Sequence, residues 1–248
     1  MERQKVTRRL ALRLGLMTSA AAALLPRRSF ADTLKQRLPW AAGAADRPDR
    51  TDTRPGYLFF TTDEAAFVEA AAGRLIPEDE TGPGAREAGV PRFIDRQLAG
   101  PYGAGDHFYL ATPMPKGTPT QGWQMGAPAI VYRDAILQVN RWTADAYGGP
   151  FATLAADKQD EALKALEGGD AQLKGGVDGK AFFALLLQNV VEGYFADPIY
   201  GGNRDMGAWR MIGFPGARYD YRAFVARHNE PYPLPPVALM GRRDWNPR

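Results

Sequence analysis

The chain has 248 residues, 45% hydrophobic and 24% charged, with 27 Gly, 20 Pro and no Cys. This is the balance of a globular protein long enough to bury a core, and it excludes a collagen, a disordered tail and a disulfide-stapled miniprotein. Without cysteine there is no disulfide, thiolate metal site, cysteine-bound iron–sulfur cluster or C-x-x-C-H haem attachment, so any redox role falls to a cofactor held by something else.

The formal charge of +3 is unevenly placed. Seven of the 31 basic residues and one of the 28 acidic residues lie in positions 1–31, so the remainder is net acidic by three and offers no excess for nucleic acid. Thr7-Arg8-Arg9-Leu10-Ala11-Leu12-Arg13 precedes an Ala/Leu-rich run, Leu14 to Leu25, then Pro26 and a small-residue cleavage pattern, Ser29-Phe30-Ala31. Basic region, apolar region and cleavage site in that order describe an export signal, and the run is too short for a comfortable membrane span. The Arg8-Arg9 pair followed by x-x-Leu-Arg resembles a twin-arginine signal over residues 1–31, although Ala11 stands where Phe is usual. An ordinary secretory signal and an amphipathic cytosolic helix are the weaker alternatives. The twin-arginine route carries proteins already folded. No G-x-G-x-x-G lies between a strand and a helix here, and no G-x-x-x-x-G-K-[ST] occurs, so the signal is expected to serve a cofactor-bearing partner.

Residues 32–56 read as a flexible arm or linker, in which 43–56 mix Pro, Gly and charge with no apolar period. Tyr57-Leu58-Phe59-Phe60 is a short apolar, extended approach to the folded body, expected over 57–230. Thr61-Thr62-Asp63-Glu64 matches an S/T-x-x-E capping box, and Phe67, Val68, Ala71, Leu75 and Ile76 follow at helical spacing up to Pro77. After the acidic loop Glu78-Asp79-Glu80-Thr81-Gly82-Pro83-Gly84, a second stripe is formed by Val90, Phe93, Ile94, Gln97 and Leu98. Residues 100–128 are Gly-, Pro-, Tyr- and Thr-rich and read as a long ordered loop.

Ile130, Val131, Ala135, Ile136, Val139 and Trp142 predict a helix from Pro128 to Tyr147, stopped by Gly148-Gly149. Another is predicted from Leu154 to Leu166. Asp178 caps the next, whose Phe182, Phe183, Leu185, Leu186, Leu187, Val190, Val191, Tyr194 and Phe195 are apolar on nearly every face, which predicts a central buried helix ending before Pro198. Residues 231–248 begin with Pro231-Tyr232-Pro233-Leu234-Pro235-Pro236, an extended Pro-rich tail of the kind that lies along another surface. The fold class is mainly α, a single helical domain with long irregular Gly/Pro-rich loops.

Chemistry-bearing residues are sparse. The two histidines, His107 and His228, sit outside any H-x-x-x-H or H-E-x-x-H pattern, and a surface or hydrogen-bonding role is expected for both. Serine occurs only at Ser19 and Ser29, inside the signal, so the mature chain has no serine nucleophile. Glu78-Asp79-Glu80 lacks the alternating ligand pattern of a calcium loop and reads as solvated. No catalytic, cofactor-binding or metal-binding residue is predicted. The most informative segment is Tyr200-Gly201-Gly202-Asn203-Arg204, a sharp turn leading to Trp209, where aromatic and Arg side chains are typical anchors for a partner protein. Tyr200, Asn203, Arg204 and Trp209 are the predicted partner-interface residues.

Several pieces together resemble gluconate 2-dehydrogenase subunit 3, the small or gamma subunit of that enzyme. They are the twin-arginine start, the helix ending Arg74-Leu75-Ile76-Pro77, the helix containing Phe93-Ile94-Asp95, and above all Glu192-Gly193-Tyr194-Phe195-Ala196-Asp197-Pro198-Ile199-Tyr200-Gly201-Gly202-Asn203-Arg204-Asp205, leading into Trp209 and Gly213-Phe214-Pro215-Gly216. The resemblance implies a non-catalytic accessory subunit of a periplasmic, membrane-associated dehydrogenase acting on gluconate, a sugar or a polyol. The FAD would sit in a glucose-methanol-choline type large subunit, and haem c in a third, multihaem cytochrome subunit. The small subunit would hold no cofactor, would support folding and export of the large one, and would meet the membrane only through partners. Two competing readings are a stand-alone periplasmic sugar-binding protein using residues 100–128 and a glycoside hydrolase using paired carboxylates.

Overall fold

The computed structural model describes residues 56–106, 126–218 and 220–239. The signal with Arg8 and Arg9, most of the arm, His107 and most of the Gly-rich loop lie outside them.

The first helix, α1 (Thr62–Leu75), begins where the capping box predicts. Glu64 N–H donates to Thr61 Oγ1 at 3.4 Å and Thr61 N–H to Glu64 Oε2 at 2.8 Å, so two donors orphaned at the helix start are satisfied reciprocally. Helix α2 (Val90–Leu98) starts from left-handed Gly89. Of the 100–128 segment, Pro101–Ala104 forms the one-turn helix α3. Helix α4 (Pro128–Tyr147) opens with Pro at its first position and stops at left-handed Gly148. Helix α5 (Ala156–Gly168) starts two residues later than its apolar period suggests, because Phe151–Thr153 forms a 3-10 turn that puts Leu154 and Ala155 in extended conformation. Helix α6 (Gly179–Phe195) is capped by Asp178, which accepts from Ala181 N–H at 2.9 Å. The short helix α7 (Gly207–Met211) follows the Gly-Gly-Asn turn. Among the described residues the fold is mainly helical, with isolated bridges but no strand. None of these helices is long and apolar enough to cross a membrane.

Helix α6 packs against α1, α2, α4, α5 and α7, and its buried side chains meet an aromatic core. Phe67 packs tilted against Phe151 and Phe182 with ring centroids 4.9 and 6.2 Å apart, and Tyr132 meets Phe182 edge to face at 5.5 Å. Tyr132 replaces the expected Ile130 on the inner face of α4, since buried Pro128, Tyr132, Ala135, Ile136 and Val139 share one stripe that leaves Ile130 exposed. The Tyr132 hydroxyl donates to Asn189 Oδ1 at 2.8 Å, which satisfies a buried polar pair, and burial pushes its pKa well up.

The backbone N–H groups of the apolar approach at 58–60 converge on one carboxylate. Buried Asp95 accepts from the N–H groups of Leu58, Phe59 and Phe60 at 2.7, 2.8 and 2.9 Å, so the chain entering α1 is clamped to α2 and the buried charge is fully hydrogen-bonded.

Candidate functional site

The segment joining α6 to α7 is built to hold one shape. Asp197 Oδ1 accepts from Ile199 N–H at 3.0 Å at the start of a 3-10 turn, Pro198–Tyr200, which ends at left-handed Gly201. Gly202 then lies against the last turn of α6, where an added Cβ would sit 2.1 Å from the Gly193 carbonyl oxygen, so only glycine fits. Asn203 is fully buried and left-handed (φ 43°, ψ 48°). Its Nδ2 donates to the Ala196 carbonyl and its Oδ1 accepts from Ala208 N–H, both at 3.0 Å, which ties the end of α6 to the start of α7. Asp205 and Met206 are also left-handed, with φ 56° at each, a conformation that costs a non-glycine residue about 1–2 kcal/mol. Trp209 closes the unit, donating from Nε1 to the Phe195 carbonyl at 2.8 Å and meeting Phe214 edge to face at 5.1 Å.

The four predicted interface residues therefore divide. Asn203 and Trp209 are buried and hold the turn from beneath; Tyr200 and Arg204 carry side chains to the surface. The Arg204 N–H donates to the Ala88 carbonyl at 2.9 Å, linking the turn to the approach to α2. Its side chain borders a 310 Å³ cleft shared with Tyr57, Glu69, Arg86, Gly89 and Arg92.

Around the turn lies an apolar rim. Helix α6 is central but not buried all round: Ala184, Gln188, Val191 and Phe195, spaced i, i+4, i+7 and i+11, form an exposed stripe. Ile199 and Tyr200 extend it along the chain, and Ile212, Phe214 and Leu239 are exposed nearby in the fold's C-terminal part. An all-round apolar helix is covered only where neighbours pack, and no described element covers this stripe.

The tail, expected to lie along another molecule, is bonded to its own chain as far as Leu239. Ala217 N–H donates to the Val237 carbonyl at 2.7 Å, Val237 N–H to the Pro215 carbonyl at 3.2 Å, and Leu239 N–H to Asp197 Oδ2 at 2.7 Å. Ala238 is buried in a small cluster with Met206 and Trp209. The tail thus completes the base of the turn, because its extended backbone pairs with the segment after α7 and so satisfies its own donors.

The remaining chemical candidates are solvent-facing. Glu78, Asp79 and Glu80 are exposed, and Asp79 Oδ1 is occupied by Thr81 N–H at 2.8 Å and the Thr81 hydroxyl at 2.6 Å, bonds that hold its carboxyl below the ordinary range. His228 is exposed. Among the described residues no group of three His, Asp or Glu side chains is placed to hold a metal ion. Sequence reasoning missed Asp95 and the residues of the Arg204 cleft. Asp95 carried one faint signal, an acid beside the apolar stripe of a short helix, but its partners lie 35 to 37 residues away.

Comparison with curated proteins and with solved structures gave no match. The family model for gluconate 2-dehydrogenase subunit 3 matches residues 62–216, which take in all seven described α-helices, the Gly-Gly-Asn turn and the Gly213–Gly216 turn. The chain is a member of the gluconate 2-dehydrogenase subunit 3 family.

Proposed function

We propose that this chain is the non-catalytic small subunit of an FAD-dependent dehydrogenase of the glucose-methanol-choline type, and that it supports the folding, export and stability of the flavoprotein large subunit. Family membership implies a multi-subunit dehydrogenase complex. The observation that carries the finer reading is the exposed apolar rim of Val191, Phe195, Ile199 and Tyr200 around a turn held rigid from beneath. Exposed apolar residues with aromatic and Arg side chains on a pre-organised base have the composition of a protein-docking surface. The large subunit would carry FAD and the sugar, polyol or gluconate site, and a multihaem cytochrome c subunit would pass electrons on. Arg8 and Arg9 would send the folded pair to the periplasm by the twin-arginine route, and membrane contact would come through partners.

The test is co-expression of the full chain with the flavoprotein subunit. With the wild-type chain, FAD-loaded large subunit accumulates in the periplasm and acceptor-dependent oxidation follows it. The Arg8→Lys/Arg9→Lys double variant leaves the loaded large subunit in the cytoplasm, and the purified small subunit alone oxidises nothing. Periplasmic, FAD-loaded large subunit in the absence of this chain would remove the escort role.

A further inference from the structure

One thioether sits in the seam between the acidic loop and α7. Met211, the last residue of α7, is 38% exposed, whereas Met206 just before that helix is fully buried. The Met211 Sδ lies 3.8 Å from the Thr81 hydroxyl on the loop and 3.8 Å from the Tyr194 hydroxyl near the end of α6. A hydroxyl has one proton to donate. Thr81 donates its own to Asp79 Oδ1 at 2.6 Å, and Tyr194 donates to the Pro83 carbonyl at 2.7 Å, both much closer than the sulfur. A thioether is a weak acceptor, so it faces two oxygens whose protons point elsewhere.

Those two donated protons hold the loop in place. Asp79 Oδ1 also accepts from the N–H groups of Thr81 and Gly82 at 2.8 and 3.2 Å, and Asp79 N–H donates to the Gly82 carbonyl at 3.3 Å, which closes the turn. The turn lies along α7. A Cβ at Gly82 would stand 2.9 Å from Met211 Sδ, and one at Gly207 would stand 2.9 Å from Pro83 Cγ, so the loop touches α7 at its first and last residues. Trp209, which closes the candidate site, lies between those contacts in sequence. Met211 therefore presents an oxidisable atom that is both partly open to solvent and packed on the loop it helps to seat.

We propose that Met211 is a sulfoxidation site for a hydroperoxide, and that its oxidation releases the 79–83 loop from α7. With hydrogen peroxide, a sulfur lone pair attacks one peroxide oxygen, and an S–O bond forms as the O–O bond breaks. Sulfur gives up two electrons, and the displaced hydroxide leaves as water with the proton of the transferred oxygen. The product is polar, and its oxygen accepts hydrogen bonds where the thioether hardly does. The nearest hydroxyl protons are those of Thr81 and Tyr194. Turning either one toward the sulfoxide breaks its bond to Asp79 or to Pro83, and the close packing on Gly82 leaves the added oxygen no room on that side. Methionine sulfoxide is reduced enzymatically, so the release is reversible.

The experiment treats the purified full chain with limiting hydrogen peroxide, maps oxidised methionines by peptide mass spectrometry, and follows amide hydrogen exchange in the loop and in α4. Met211 is expected to oxidise about tenfold or more faster than buried Met206, because susceptibility follows exposure. Exchange at the Thr81 and Gly82 amides is then expected to rise about threefold or more while α4 is unchanged, and methionine sulfoxide reductases restore the original rates. Met211→Gln puts a carbonyl acceptor at the position of the sulfoxide and reproduces the faster exchange without peroxide. Met211→Leu keeps the apolar volume without sulfur, and its loop stays protected in peroxide. Met211 reacting no faster than Met206 overturns the site. Full oxidation at Met211 with unchanged exchange at Thr81 and Gly82 overturns the release, as does equal loosening by peroxide in Met211→Leu. Thermal unfolding checks that both variants fold; if Met211→Gln does not, oxidised wild type against peroxide-treated Met211→Leu decides the matter.

Discussion

The aromatic core and the turn beneath Trp209 are stabilised in different ways. In the core, Phe67, Tyr132, Phe151 and Phe182 are almost wholly removed from water and touch one another across α1, α4, α6 and the 3-10 turn at Phe151, so area buried is the dominant stabilising quantity. At the turn the buried apolar cluster is small, comprising Met206, Trp209 and Ala238, and shape is held by directed hydrogen bonds that Asn203 and Trp209 donate and that Asn203 and Asp197 accept. The contrast teaches how one small domain keeps Val191, Phe195, Ile199 and Tyr200 in solvent without collapsing on them. Polar bonds fix the backbone from below, and the apolar side chains are left outside for something else to cover.

The comparison is broken most forcefully in the core. Phe182→Ala is expected to cost about 3–5 kcal/mol in chemical denaturation, through lost burial and the cavity left behind; a loss below about 1 kcal/mol would mean the aromatic cluster is not the main source of stability. Gly202→Ala comes next. The added Cβ meets the Gly193 carbonyl, and a cost of about 1–3 kcal/mol is expected. Hydrogen exchange should rise at the Ala208 amide and the Trp209 indole far more than in α4. Uniform loss of protection across both regions would show that the turn and the core are one cooperative unit.

A third substitution probes the core side of the comparison by pH. Arg74 Nε and Nη2 donate to the two Asp160 oxygens at 2.7 and 2.6 Å, tying α1 to α5, and this pairing holds the Asp160 carboxyl below the ordinary carboxylate range. A depressed folded-state pKa contributes stability above the unfolded pKa and loses it as pH falls through the folded value. Asp160→Asn is therefore expected to be less stable than wild type at neutral pH, by less than about 1 kcal/mol because both partners are partly exposed. The gap should close in acid and be read in urea, which does not screen the pair. The smallest effect on stability is expected at the rim: Val191→Ser should shift it by no more than about 0.5 kcal/mol. The same variant should lower affinity for the large subunit about tenfold. A large stability loss with unchanged affinity would place Val191 on the core side of the comparison.

Legibility followed the range of the interaction. The starts of α1 and α6 were readable from Thr61 with Glu64 and from Asp178 because a cap joins residues three apart. The choice between Ile130 and Tyr132 on α4 was not, since both are apolar and only the position of Phe182 decides which faces inward. The same applies to α6, whose composition is apolar all round and whose exposed stripe is defined by where α1, α2, α4, α5 and α7 happen to pack. At the candidate site the Tyr200–Arg204 turn was readable from its glycines, whereas the division into buried Asn203 and Trp209 and exposed Tyr200 and Arg204 was not.

By itself, then, the order of residues determined the five longer helices, the caps at Thr61 and Asp178, the absence of cysteine chemistry, the uneven charge and the family to which the chain belongs. Tertiary structure alone decided that Asp95 clamps residues 58–60, that the tail closes on Trp209 and that Arg86, Arg92 and Arg204 share a cleft. The physical reason is that caps and apolar periods act within one or two turns of chain. A hydrogen bond spanning 35 residues, or a pocket drawn from four segments, exists only once packing has brought its parts together.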